Sequence, residues 1–102
     1  MSAPPPDPEI SVVVPAYNEA ESLDPLFAEL RAALAVTGRT YEIVLVDDGS
    51  TDGTAQRIAT EAARDPRVRA VRLEVNAGQS AALAAGFSRA RGAILVTLDA
   101  DL

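Results

Sequence analysis

The sequence predicts an α/β fold: an open, mainly parallel sheet with helices on both faces and strand order 3-2-1-4. Four short apolar runs, rich in β-branched residues, recur along the chain. Three segments with apolar residues at three- and four-residue spacing lie between them, and turn-forming residues close the runs. The alternation β-α-β-α-β-α-β implies parallel pairing through right-handed crossovers.

Ile10 to Val14 is a continuous apolar run ended by Pro15 and reads as a strand buried on both faces. Ser22 is a suitable N-cap, Pro25 is tolerated in a first turn, and Leu23, Leu26, Phe27, Leu30 and Leu34 form one stripe. A helix over about residues 23–36, stopped by Gly38, follows. Tyr41 to Val46 is a second buried strand, ended by Asp47, Asp48 and Gly49. Asp52 or Ser50 then caps a helix to about Arg64, with Ala55, Ile58, Ala59 and Ala62 inward, and Asp65-Pro66 ends it. Val68 to Val75 alternates with Arg and Glu, placing the third strand nearer an edge. Gln79 to Ala90 is Ala-rich, with Leu83 and Phe87 at i, i+4, and is closed by Gly92; Ala93 to Leu98 is the fourth strand.

Composition bounds the chemistry. A chain of 102 residues with 48% hydrophobic and 24% charged residues fits one soluble domain. The net charge is −6 and the nine cations, all Arg, are dispersed, which argues against a nucleic-acid partner. Without Lys, His or Cys, the chain excludes thiolates, imidazole bases, Schiff bases, disulfides and the usual zinc ligands. Oxygen ligands, hydroxyls, backbone and Arg remain. Residues 1–9 read as a polar disordered tail with no secretory signal, and residues 10–102 as the domain. No apolar run reaches the length of a spanning helix, and a cytoplasmic location is expected.

In the order 3-2-1-4 the first and fourth strands are neighbours whose connections leave in opposite directions, opening a crevice at their carboxyl ends. Three polar clusters fall on that rim: Pro15 to Glu19, Asp47 to Asp52, and Asp99 to Asp101. Each alone has an ordinary explanation as a turn or cap; their coincidence points to a site. Asp99 and Asp101, one residue apart, suit a hard cation such as Mg²⁺ or Mn²⁺, which neutralises a nucleotide diphosphate and assists its departure. Asp48 suits a base N–H, and Tyr17 a base or ribose face. Asn76, Gly78 and Gln79 precede the third helix, whose free N–H groups suit a phosphate oxygen; a plain strand-to-helix turn explains them equally well.

The segments VVVPAYNEAESL, VDDGSTDGT, NAGQSAALAAGF and LDADL, in that order, resemble the family 2 glycosyltransferases of the GT-A fold. LDADL looks most like the branch that makes polyprenol-phosphate sugars, such as dolichol-phosphate mannose synthase and its bacterial relatives. The resemblance implies that Pro15, Ala16, Tyr17, Glu19, Val46 and Asp48 surround the nucleoside, and that Asp99, Ala100 and Asp101 form the metal and diphosphate motif. It implies an enzyme of cell-wall or polysaccharide biosynthesis that takes a nucleotide-diphosphate sugar and transfers the sugar with inversion to a lipid-phosphate or saccharide acceptor. The longer relatives are expected at the cytoplasmic face of a membrane.

Family members continue beyond this motif with acceptor-side strands and often membrane helices. The chain is therefore expected to be a truncated portion whose catalytic groups for the acceptor are not identified. The outer edge of the fourth strand then offers an unpaired ladder for self-association. Rival readings are weaker: a dinucleotide-binding domain needs a Gly-rich turn after the first strand, and a phosphate-receiving domain or P-loop enzyme needs a lysine. The alternative of another class is a non-catalytic nucleotide-binding or interaction module, or an inactive remnant, marked by binding without turnover.

Overall fold

The computed structural model describes residues 6–100. Its order is β1 (Ile10–Ala16), α1 (Ala20–Thr37), β2 (Tyr41–Asp48), α2 (Thr54–Arg64), β3 (Val68–Leu73), α3 (Gln79–Arg89) and β4 (Ile94–Thr97). The four strands form one parallel sheet in the order β3-β2-β1-β4, as expected.

Strand alternation sends two sets of side chains to opposite faces. Val12, Val14, Ala16, Ile43 and Leu45 meet Leu23, Leu26, Phe27, Leu30 and Leu34 of α1 and Ile58 of α2. Val13, Val44, Val46 and Val71 meet Ala82 of α3. The central strands β1 and β2 are thus apolar on both faces, which is why they read as unbroken runs.

Several expected details differ. Helix α1 begins three residues before Leu23, with Glu19 rather than Ser22 at its N-cap. Ser22 instead donates through Oγ to the Glu19 carboxylate at 3.3 Å and through its N–H to the Glu19 carbonyl at 3.0 Å. Pro25 therefore lies past the first turn and cannot donate to the carbonyl four residues back. Gly38, in the left-handed region at φ 68°, ends the helix as expected.

Helix α2 buries Thr54, Ile58 and Glu61, while Ala55 and Ala62 are half-buried and Ala59 is exposed. Glu61 can face inward because Arg31 and Arg57 pair with it, and both guanidiniums also lie over the Phe27 ring. On α3 the buried stripe is Ala82 and Gly86, with Leu83 half-buried beside it and Phe87 exposed, not Leu83 and Phe87 as the apolar spacing indicated. The helix lies too close for larger residues: a Cβ on Gly86 would come within 2.3 Å of Val13 Cγ1.

At the amino ends of the strands Glu42, only 2% exposed, is satisfied on all sides. It accepts from Ser11 Oγ at 2.6 Å, Arg69 Nη1 at 2.9 Å and the Arg91 N–H at 2.7 Å. Burial pushes its carboxyl up, but these hydrogen bonds outweigh burial and hold it below the ordinary carboxylate range. Strand β4 is exposed along its whole length and pairs only with β1 among the described residues. Glu9, assigned to the tail by sequence, bonds through its N–H to Thr40 and through its carbonyl to Ile94.

Candidate functional site

At the carboxyl ends of the strands, the loops after β1 and β2 are joined to each other. Asn18, at φ 52°, accepts on its side-chain oxygen from the Thr51 N–H at 2.9 Å, and its own N–H donates to Ser50 Oγ at 2.9 Å. The Glu19 N–H donates to Thr54 Oγ1 at 3.0 Å. Asp52 accepts from the Thr54 N–H at 2.8 Å, so it holds the start of α2 although Gly53 occupies the cap position. These cross-loop partners were not singled out from sequence; the one local signal was Asn18, a residue type that tolerates the left-handed region.

Asp48 is 4% exposed, and its carboxylate is already occupied. Oδ1 accepts from the Ala77 N–H at 2.8 Å, and Oδ2 from Asn76 Nδ2 at 2.9 Å and the Gly78 N–H at 3.1 Å. Asn76 Nδ2 also reaches the Asp48 carbonyl at 3.1 Å. The loop between β3 and α3 is thereby latched to the end of β2. A carboxylate offers roughly four acceptor positions, so about one is left for a ligand N–H. The latch also uses the Ala77 and Gly78 N–H groups, leaving those of the first turn of α3 free for a phosphate oxygen.

A cleft of ≈ 390 Å³ opens between these loops and the end of β4. Pro15, Ala16, Tyr17 and Glu19 line one side, Asp48, Asn76, Gly78 and Gln79 another, and Asp99 and Ala100 close it. Tyr17 is 45% exposed, leaving a ring face open to a planar ligand. Gln79 donates through Nε2 to Asp99 Oδ1 at 3.1 Å. Val46 does not line the cleft; it is fully buried in the apolar cluster facing α3. Asp101 lies outside the described residues.

Asp47 points elsewhere. Its Oδ1 accepts from the Ser50 N–H at 3.2 Å, its Oδ2 is buried without a partner among the described residues, and it borders a separate hollow of ≈ 510 Å³ between α2 and β3.

The donor chemistry of the cleft fits a hard cation, since among the described residues its charged groups are all carboxylates. Among the described residues no three carboxylates gather closely enough to form a complete metal cluster. Asp99 would be the ligand on the described side, with Oδ2 left open by the bond from Gln79. Among the described residues no arginine lines the cleft, so a diphosphate entering it meets negative charge unless a cation accompanies it.

Comparison with known proteins shows what the chain and its fold are similar to. An undecaprenyl-phosphate 4-deoxy-4-formamido-L-arabinose transferase of Klebsiella pneumoniae subsp. pneumoniae is 51% identical over 100 residues, spanning 96% of this chain and 30% of that protein. The transferase of the same name from Pseudomonas aeruginosa is 51% identical over 94 residues, spanning 91% of this chain and 28% of that protein. The chain thus spans less than a third of the length of these curated relatives. Among solved structures, the mannosyltransferase PcManGT of Pyrobaculum calidifontis, in complex with GDP-Man and Mn²⁺, superposes with a TM-score of 0.76 at 30% identity over 93% of this chain and 28% of that one. S. aureus TarS 1-349 in complex with UDP-GlcNAc superposes with a TM-score of 0.74 at 27% identity over 91% of this chain and 26% of that one. The sequence profile described as Glycosyl transferase family 2 matches residues 11–102, and the chain belongs to that family.

Proposed function

We propose that this chain forms the donor half of a glycosyltransferase that binds a nucleoside-diphosphate sugar together with Mg²⁺ or Mn²⁺. The carrying observation is the single cleft that joins the ends of β1, β2 and β4 and is lined by Tyr17, Asp48 and Asp99. The nucleoside lies at the Tyr17–Asp48 end, where an aromatic face and one remaining carboxylate acceptor position are available. Pro15, Ala16 and Glu19 form the wall beside it, with Val46 supporting that wall from the core. The diphosphate lies toward Asp99, Ala100 and Asp101, with the first turn of α3 nearby to donate N–H groups.

A cation held there would neutralise the diphosphate and stabilise charge on the departing nucleoside diphosphate. For the protein's own groups, the task is orientation: the latched β3–α3 loop and the joined β1 and β2 loops fix both walls before the ligand arrives. The acceptor proposed is a polyprenyl phosphate, supported by the undecaprenyl-phosphate transferases to which the chain is 51% identical. Such an acceptor is already anionic and has less need of a general base. The location proposed is the cytoplasmic side of a membrane; no described helix is long and apolar enough to cross one.

Calorimetric titration with UDP and GDP, each with Mn²⁺ and with chelator, tests the reading. Saturable, metal-dependent binding is expected, with Asp101→Ala removing the metal dependence and Asp48→Ala weakening nucleoside recognition. A folded chain that binds neither nucleotide would overturn the proposal.

A further inference from the structure

The two ends of the cleft are connected through four consecutive residues. Asp48 is fixed at the end of a buried central strand and holds Asn76, Ala77 and Gly78 by hydrogen bonds. The loop is also pressed against Gly49, where a Cβ would lie 2.3 Å from the Asn76 nitrogen and 2.4 Å from the Val75 carbonyl carbon. Gly78, at φ 98° and ψ 160°, turns the chain directly into α3 in a conformation that other residues rarely adopt. Gln79 is therefore the first helical residue after a clamped loop, and its amide reaches Asp99 Oδ1.

Asp99 itself lies beyond a short, exposed edge strand. An exposed aspartate there retains free rotamers unless something holds it. The Gln79 bond occupies one oxygen and leaves the other for a cation. We propose that Asn76–Gln79 is a positioning segment that carries the Asp48 latch across to Asp99, with Gln79 orienting the cation-facing carboxylate. The inference rests on reading the cleft as a donor site.

The test is Mn²⁺ binding to the 102-residue chain, measured with the metal alone from the electron paramagnetic resonance of free Mn²⁺, with a thermal melt as the folding control. Gln79→Met keeps the length of the side chain and removes the donor; it should raise the Mn²⁺ Kd about fivefold, the net effect of one ordinary solvent-exposed hydrogen bond, without moving the melt. Asn76→Ala should raise the Kd as well, and the double variant should be no weaker than the worse single variant, because both act along one route. If Asn76→Ala does not fold, Asn76→Ser takes its place, removing the Nδ2 donor while keeping a small polar side chain. A wild-type Mn²⁺ site that Gln79→Met leaves within about twofold sinks the positioning role alone, since one bond is expected to exceed that. Independent, multiplying effects of the two substitutions sink the transmission. Failure of the wild-type chain to bind Mn²⁺ sinks both this inference and the donor-site reading.

Discussion

Replacing Gly49 by alanine isolates the contact on which the back wall of the cleft rests. Gly49 has φ +73° and Gly38 has φ +68°, so an alanine at either carries the same left-handed penalty, about 1–2 kcal/mol. Their surroundings differ. A Cβ on Gly38 meets nothing within 4 Å, whereas one on Gly49 would lie within 2.4 Å of two backbone atoms of the β3–α3 loop. Backbone cannot swing aside like a side chain, so the loop must shift and release the Asn76, Ala77 and Gly78 donors from Asp48. At about 0.5–1.5 kcal/mol net for each of three bonds, Gly49→Ala should cost about 1.5–4.5 kcal/mol more than Gly38→Ala. Urea denaturation read by circular dichroism gives both values from the midpoints, provided the slope m is unchanged. Nucleotide titration then separates wall from fold: Gly38, at the far end of the sheet, should leave affinity intact, while Gly49→Ala should lose about tenfold or more, the binding equivalent of about 1.4 kcal/mol. Equal destabilisation by the two variants would refute the clamp, and so would full nucleotide affinity in Gly49→Ala.

Gly86→Ala should destabilise by about 1–3 kcal/mol, the usual cost of overpacking, because the new methyl meets Val13 and Val46 of the central strands; a thermal melt checks it. Acid should unfold the protein through three buried carboxyls. Burial raises Glu42, Glu61 and Asp65, but hydrogen bonds and charge from Ser11, the Arg91 N–H and Arg69, from Arg31 and Arg57, and from Arg67 and Arg31, respectively, hold each below its ordinary value of 4.5 or 3.8. A depressed folded pKa gives stability that is complete above the ordinary value and lost as pH falls through the folded one. The melting temperature should therefore be level down to about pH 5 and fall below about pH 4; a level profile down to pH 3 would contradict the pairing. Asp99→Asn keeps an oxygen for Gln79 and removes the charge, so the gain in nucleotide affinity on adding Mn²⁺ should disappear while the melt is unchanged.

The strand order was legible because β1 and β2 are mostly apolar runs rich in β-branched residues, broken only by Ser11 and Glu42 near their amino ends, and each carboxyl end carries a turn residue. The helix interiors were less so. On α3 the sequence offers Leu83 and Phe87 as the obvious apolar pair, but packing distance, which periodicity does not encode, selects Ala82 and Gly86. On α2 the inward Glu61 was not read from sequence, because its i−4 partner Arg57 looks like an ordinary surface pair and its other partner, Arg31, lies 30 residues away on another helix. The strand-end residues Pro15, Ala16, Tyr17, Glu19, Asp48 and Asp99 do meet in one cleft, since topology alone brings those ends together. What topology could not supply was the state of each group. Asp48 reads in sequence as a free acceptor, and in the structure most of its capacity goes to the neighbouring loop.

That use of Asp48 bears on how a cleft so acidic can take an anion. Two like charges about 4 Å apart repel by about 4 kcal/mol at an effective dielectric constant near 20, and Glu19, Asp48 and Asp99 all border the space a diphosphate would enter. The Asp48 charge is already answered by two backbone N–H groups and the Asn76 amide, which removes most of its repulsion at the nucleoside end. Among the described residues, Asp99 accepts only from the Gln79 amide. Asp99 is thus less compensated than Asp48, so a cation bound there would offset repulsion at the diphosphate end of the proposed site. On the proposed reading, binding of cation and nucleotide would be linked, each raising the affinity for the other by the same factor. The sequence places carboxylates at both ends of the cleft; the hydrogen bonds satisfy the Asp48 end more fully than the Asp99 end.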